Sequence, residues 1–181
     1  KIPVKKHDHV LIPAGTVHCS GADTMVLEIS ATPYIFTFKL WDWGRVDLDG
    51  KPRPIHLEHG AANIQWYRNT EWVHRNLVNA VAEVYTGENG TVVRTGLHER
   101  EFLDTFRFTT SSTLPVHRNG SVHMLNLVHG TRAVLRTKSD AFPPLELHYA
   151  ETCIVPQAAG DYEISSPDGS EVKVILACVR N

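Results

Sequence analysis

Short runs rich in β-branched and aromatic residues recur along the whole chain, separated by Gly, Pro, Asn or Asp. Evenly spaced runs of this kind are typical of antiparallel sheets, whereas strands alternating with long amphipathic helices would indicate a parallel sheet. The pattern therefore predicts an all-β chain, folded as an antiparallel sandwich or barrel. The predicted strands are His9–Ile12, Thr24–Ser30, Tyr34–Trp41, Asn79–Tyr85, Thr91–Arg94, Phe102–Thr109, Val122–Val128, Arg132–Arg136, Glu151–Val155, Asp161–Ile164 and Val172–Val179.

One segment, Ile55–Tyr67, departs from this pattern because its apolar residues could wrap one face of a helix. It predicts a short helical connector over residues 55–69. The division leaves residues 1–54 as the C-terminal part of one β unit and residues 70–181 as a second. Only the second is long enough for an eight-stranded jelly roll. The sequence thus indicates that the first unit begins upstream of Lys1.

The charge balance argues against two classes of partner. The chain carries 18 basic and 20 acidic residues, a net charge of −2, without a basic run suited to nucleic acid or an anionic membrane. No apolar stretch approaches the ~20 residues that span a bilayer. Three cysteines without Cys-x-x-Cys spacing do not form a disulfide framework, which favours the reducing cytoplasm.

The segment Pro13-x-Gly15-x-x-His18 is the clearest candidate for chemistry. Proline fixes φ and glycine frees it, so the two residues suit a tight turn, after which His18 can point into the mouth of a barrel. The spacing resembles the second motif of cupins, whose histidine supplies the last ligand of a divalent metal. Neutral imidazole suits Zn, Fe or Ni. The alternative is a turn followed by a histidine that only forms local hydrogen bonds.

Longer motifs around this turn resemble class I mannose-6-phosphate isomerases of the bacterial type. Those proteins follow Ile-Pro-Ala-Gly-Thr-x-His with a Leu-Glu-Ile strand, a segment ending Asp-Trp-Gly-Arg and an Asp-Gly-Lys-x-Arg turn. The resemblance covers nearly the whole chain and implies a cupin double-stranded β-helix in both units. The motifs that carry it are Val26–Ser30, Thr37–Arg45, Asp49–Arg53, Phe102–Asp104, His123–Gly130 and Ala150–Pro156.

The resemblance also implies a set of site residues. The family holds its metal, here expected to be Zn²⁺ or another divalent ion, with a Gln-x-His pair, a Glu and a final His. Only the last matches, at His18, which places the others upstream of Lys1. The family arginine that assists proton transfer between the C1 and C2 oxygens aligns with Lys39, which can donate to an enediolate oxygen but lacks the planar fork of Arg. Arg45 matches a second family arginine, and a surface ion pair is the alternative for it.

In the second unit, the position of the motif histidine falls on or beside Tyr162, a poor ligand for zinc. The histidines of that unit lie on different predicted strands without paired spacing. We therefore expect it to bind no metal and to serve in packing, in contact between copies of a homodimer, or as a wall of the sugar site.

Two functions of different classes remain open. The first is a portion of a metal-dependent aldose–ketose isomerase acting on a phosphorylated hexose. The second is a non-catalytic cupin module that binds a sugar for regulation. An iron-dependent cupin oxygenase would share the turn but not the segment Trp41–Arg45. On the first hypothesis this chain alone is inactive, because one imidazole cannot hold a catalytic zinc.

Overall fold

A computed structural model describes residues 1–30 and 37–180 of the chain. The chain forms two compact units, Lys1–Val78 and Asn79–Asn181. The division therefore lies after Val78 rather than at the expected connector of residues 55–69.

The second unit is built almost entirely of strands. Its elements in the described residues are β1 (Ala82–Gly87), β2 (Gly90–Arg94), β3 (Leu103–Thr110), β4 (Thr113–Val116), β5 (His123–His129), β6 (Arg132–Thr137), β7 (Leu145–His148), β8 (Thr152–Val155), the 3-10 turn Gln157–Ala159, β9 (Tyr162–Ser165) and β10 (Val172–Val179).

These strands form two antiparallel sheets. The six-stranded sheet has the order β1-β2-β3-β10-β5-β8, and the four-stranded sheet has the order β4-β9-β6-β7. Strand β10 is central to the larger sheet, because it pairs with β3 along its whole length and with β5 on its other side. The crossing connections between non-consecutive strands are those expected of a jelly roll. The all-β prediction is confirmed in this unit.

Alternation along the strands places the core between the two sheets. In β10, Val172, Val174 and Leu176 are at most 2% exposed, while Lys173 and Ile175 between them are partly exposed. Successive side chains of a strand point to opposite faces, so this spacing puts one apolar row inward. Each fully buried Val, Leu or Ile side chain contributes roughly 1.5–3 kcal/mol. The core cluster is Val92, Phe108, Leu114, Val116, Leu125, Leu127, Ala133, Leu135, Leu147, Val155, Ala159, Tyr162, Ile164, Val172, Val174, Leu176 and Cys178.

Two strands escaped the sequence analysis, and both lie at edges of the smaller sheet. Strand β4 contains Pro115, which pairs with Glu163. Proline has no backbone N–H to donate to a neighbouring strand and is found in sheets mainly on edge strands. A proline in the sequence therefore argues against a strand, and β4 was not predicted. Strand β7 has four residues, of which Leu147 alone is buried, so it shows little apolar alternation.

The described residues of the first unit form the helices α1 (Leu57–Asn63) and α2 (Thr70–Asn76). The expected connector helix is present but shorter than Ile55–Tyr67. Helix α2 was not predicted, although Asn69 is a recognisable N-cap whose side chain accepts a hydrogen bond from Trp72 N at 3.0 Å. Among the residues described, no helix combines the length and apolar character that crossing a membrane requires.

The predicted strands of this unit are wrong where the structure describes them. His9–Ile12 forms only the isolated bridge Val10 to Val78, and Thr24–Ser30 forms no ladder. Of Tyr34–Trp41, the first three residues lie outside the described chain, and the rest is not a strand. An extended segment becomes a strand only beside a hydrogen-bonding partner. Because these runs find none among the described residues, apolar side chains such as Met25, 78% exposed, do not pack.

Replacing Leu125 by Ala should destabilise the second unit by about 2–5 kcal/mol, because the fully buried side chain would leave a cavity between the sheets. Met124→Ala, one residue earlier on β5 and 48% exposed, is the matched control and should cost less than about 1 kcal/mol. Urea unfolding of both variants measures the difference. Equal losses would show that the core does not lie between the sheets as described.

Candidate functional site

The turn that precedes His18 is formed by Pro13 to Thr16. Thr16 N donates to Pro13 O at 3.2 Å, which closes a four-residue turn. Gly15 has φ = +80°, the value that a type II turn requires at its third position and that L side chains rarely adopt. A Cβ there would also lie 2.7 Å from the carbonyl oxygen of Asn63. Glycine is therefore required both by the backbone and by the neighbouring chain.

The imidazole of His18 is exposed, and its Nδ1 lies 2.9 Å from the carbonyl oxygen of Thr16. A carbonyl oxygen can only accept, so Nδ1 carries the proton and donates. The other nitrogen, Nε2, then keeps its lone pair. Metal-binding histidines are commonly oriented in this way, by a hydrogen bond from the non-ligating nitrogen to a backbone carbonyl. His18 thus has the tautomer in which Nε2 is available as a metal ligand.

A catalytic zinc ion, however, requires about three protein ligands, and His18 can supply only one of them. In the part of the chain that the structure describes, no group of three or more His, Cys, Asp or Glu side chains could hold a metal ion. The described residues therefore do not fit a metal centre by themselves. The expectation that further ligands lie upstream of Lys1 stays a prediction.

Lys39 forms part of a charged cluster around Asp42. Its Nζ lies 3.3 Å from Asp42 Oδ1, and its side chain is one-third exposed. Arg53 Nε lies 3.0 Å from the other carboxylate oxygen, an ion pair whose angle does not suit a hydrogen bond. The carboxylate itself is nearly buried. Asp42 therefore fixes the ammonium of Lys39 and balances two cations.

The backbone on both sides of this cluster is also held. Lys39 N donates to His56 Nδ1 at 3.2 Å, and His56 N donates to Lys39 O at 2.7 Å. Arg45 N donates to Asp42 O at 2.9 Å. The Arg45 side chain is exposed. Its guanidinium is thus accessible to an anion, whereas its backbone is fixed.

The structure connects two of the three predicted site residues. Lys39 and Arg45 are both bonded to Asp42, one through its carboxylate and the other through its carbonyl. Within the described chain, His18 forms no hydrogen bond or ion pair with either. That His18 and Lys39 face one cavity therefore stays a prediction.

Sequence reasoning missed two residues that support these positions. Asp42 could have been found, because an acid between Lys39 and Arg45 is a visible charge pattern. Arg68 could not, because its partners lie more than fifty residues away: its Nη1 lies 3.1 Å from Pro13 O, 2.7 Å from Ala14 O and 2.5 Å from Thr16 Oγ1.

In the second unit, Tyr162 lies in the core and contacts a buried histidine. Its hydroxyl is 2.9 Å from His123 Nδ1, and His123 Nε2 is 3.1 Å from Asn119 Oδ1. The amide oxygen can only accept, so Nε2 carries the proton and the tyrosine hydroxyl donates to Nδ1. Burial, together with the nearby Arg118 charge, lowers the pKa of His123 to about 4. Burial raises the pKa of Tyr162. Tyrosine here completes a neutral hydrogen-bonded network. That this unit binds no metal stays a prediction.

No protein-family model matches the chain. It is 38% identical over 58 residues to the mannose-6-phosphate isomerase of Streptococcus mutans serotype c, over 32% of this chain and 18% of that protein. It is 36% identical over 65 residues to the mannose-6-phosphate isomerase ManA of Bacillus subtilis, over 36% of this chain and 20% of that protein. The chain thus spans about a fifth of the length of these curated relatives.

A crystal structure of the mannose 6-phosphate isomerase from Bacillus subtilis matches 77% of this chain and 39% of its own, with a TM-score of 0.55 and 13% identity. At that identity the likeness shows the fold. The predicted cupin-type jelly roll, a two-layer β sandwich, is therefore confirmed in the second unit, whereas the described residues of the first unit form no sheet. The chain is similar in sequence to mannose-6-phosphate isomerases over about a third of its length.

The low pKa of His123 makes the second unit sensitive to acid. Below pH 6.5, the ordinary pKa of histidine, His123 is protonated in the unfolded chain, whereas in the folded chain it stays neutral down to about pH 4. The contribution of His123 to the free energy of unfolding is therefore fully present above pH 6.5. It falls as the pH drops towards 4, by at most about 1.4 kcal/mol per pH unit. Urea unfolding at several pH values measures this slope.

His123→Gln should reduce that slope, because glutamine can hydrogen-bond to both neighbours but does not titrate. His98→Gln is the control, since His98 lies in the same unit and its ring accepts only a backbone hydrogen bond, from Arg100 N, within the described chain. A slope unchanged in His123→Gln would assign the acid sensitivity to other groups.

Proposed function

We propose that this chain is a portion of a metal-dependent aldose–ketose isomerase of the class I mannose-6-phosphate isomerase type, which interconverts mannose 6-phosphate and fructose 6-phosphate. The observation that carries the proposal is the Pro13–Thr16 turn followed by His18, whose Nε2 keeps a lone pair for a ligand. The sequence similarity to two such isomerases supports the same class.

The reaction moves a proton from C2 to C1 of the sugar and a second between the two oxygens, through an enediol. Negative charge develops on those oxygens, so fixed cations nearby lower the barrier. Lys39 suits this role, because Asp42 holds its ammonium in place while leaving a third of the side chain exposed. No described residue is assigned as the base.

Arg45 suits the phosphate group of the substrate. Its guanidinium is exposed, and a planar fork of donors matches phosphate oxygens. The hydrogen bond from Arg45 N to Asp42 O fixes the backbone of Arg45 three residues after the acid that pairs with Lys39. A phosphorylated hexose would then meet one cation at the reacting carbons and another at the phosphate.

A second candidate function is a sugar-binding module without turnover. The observation in its favour is the ion pair between Lys39 and Asp42, which compensates the charge that catalysis would use. For either function we expect a cytoplasmic protein that binds neither nucleic acid nor membrane, and contact between copies of a homodimer is one role that the second unit could serve.

The proposed function is tested by a coupled assay for fructose 6-phosphate formation from mannose 6-phosphate with added zinc. This chain alone should give no turnover, and a polypeptide extended upstream of Lys1 should be active and contain zinc. His18→Ala in the extended protein should abolish both, because a zinc site loses one of its few ligands. His74→Ala, an exposed histidine on α2, is the matched control and should change neither.

Turnover by the short chain would show that its metal site is complete and that the missing ligands were wrongly placed. An extended protein that binds the sugar without converting it would favour the binding module.

Lys39→Met in the extended protein should lower kcat by about 10²–10³ with a smaller effect on KM, because the cation acts on charge that develops in the transition state. Lys51→Met, an exposed lysine in the same unit, should leave both constants unchanged. A rise in KM without loss of kcat would place Lys39 in ground-state binding instead.

A further inference from the structure

Arg68 ties the turn before His18 to the segment between the two helices. Its Nη1 contacts oxygens of three turn residues, the carbonyls of Pro13 and Ala14 and the hydroxyl of Thr16, at 2.5–3.1 Å. A second tie runs beside it, because Gln65 N donates to Gly15 O at 3.0 Å. All four residues of the turn are therefore held by hydrogen bonds from Gln65 and Arg68.

The charge of Arg68 is used for these contacts rather than for an ion pair. Its guanidinium carbon lies 5.6 Å from the ring centre of Tyr67 and 5.4 Å from that of Trp72, within the range of cation–π attraction. Its Nε is buried without a hydrogen-bond partner. Across residues 1–30 and 37–180, no carboxylate forms a salt bridge with it. The side chain is thus directed at the turn by two rings and three oxygens.

The conformation of this turn also determines which nitrogen of His18 carries the proton. The carbonyl that accepts the proton of Nδ1 belongs to Thr16, whose hydroxyl is bonded to Arg68. Moving the Thr16 peptide would remove that acceptor, and the imidazole would lose the preference that keeps its lone pair on Nε2. A path of direct contacts therefore leads from Arg68 through Thr16 to His18.

We propose that Arg68 is a positioning residue, which fixes the Pro13–Thr16 turn so that His18 is held in the tautomer with the proton on Nδ1. The proposal rests on the proposed function in one respect only, the identity of the ligand that Nε2 would bind. The hydrogen-bonding argument concerns this chain alone. Lysine cannot replace Arg68 fully, because a single ammonium lacks the flat guanidinium group that contacts both Tyr67 and Trp72.

Nitrogen-15 NMR of the histidine rings in this chain tests the proposal, in mildly alkaline solution where imidazole is neutral. In the unsubstituted protein, His18 should populate mainly the form protonated on Nδ1. Arg68→Met should lower the ratio of that form to the Nε2-protonated form by about fivefold, the factor expected from losing one ordinary hydrogen bond. Arg68→Lys should give an intermediate ratio.

Arg75→Met is the matched control, because Arg75 lies in α2 of the same unit and bonds only Glu71 in the described chain. It should leave the ratio unchanged. An unchanged ratio in Arg68→Met, or an equal fall in Arg75→Met, overturns the proposal. If Arg68→Met does not fold, Arg68→Lys decides alone: a ratio equal to that of the unsubstituted protein overturns it.

The measurement contains neither metal nor sugar, so its outcome is independent of the isomerase assay. If Arg68→Met lowers the ratio but the protein extended upstream shows no isomerase activity, the proposed function is rejected and the role of Arg68 stands. If the extended protein is an active isomerase but Arg68→Met leaves the ratio unchanged, the function stands and the role of Arg68 is rejected.

Discussion

The structure depends on one constraint: an extended backbone is stable only where another strand accepts and donates its hydrogen bonds. Strand β10 satisfies this on both sides, against β3 and β5, and its inward row forms the centre of the core. The segments of the first unit have comparable β-forming residues but no ladder partner among the described residues. Equal local preferences therefore led to different structures in the two units.

Much of the second unit could be predicted because its strands are regular. The range Val172–Val179 was predicted to the residue, since alternation and β-branched content agree there. The prediction failed where information was not local. Pro115 reads as a strand breaker, and only its place at the edge of a sheet makes it acceptable. In the first unit the pattern predicted strands that the described chain does not pair.

The candidate site shows the same limit. The turn and His18 could be read from the sequence, because proline, glycine and histidine act over a few residues. Arg68 could not, because its contacts with Ala14 and Thr16 span 54 and 52 residues, and nothing in a single sequence reports such a pairing. Tyr162 was placed on or beside the position of the motif histidine, and its hydrogen bond to His123 was not foreseen. Its buried partner, His123, was instead grouped with histidines assumed to be unrelated.

The pair of Tyr162 and His123 has a consequence for redesign. A histidine placed at position 162, to copy the turn of the first unit, would remove the phenol that fills the core and donates to Nδ1 of His123. The new ring would have to share one proton with its neighbour while leaving a void between the sheets. A metal site engineered at this place between the two sheets would require residues 119, 123 and 162 to be rebuilt together, since the three side chains form one hydrogen-bonded unit.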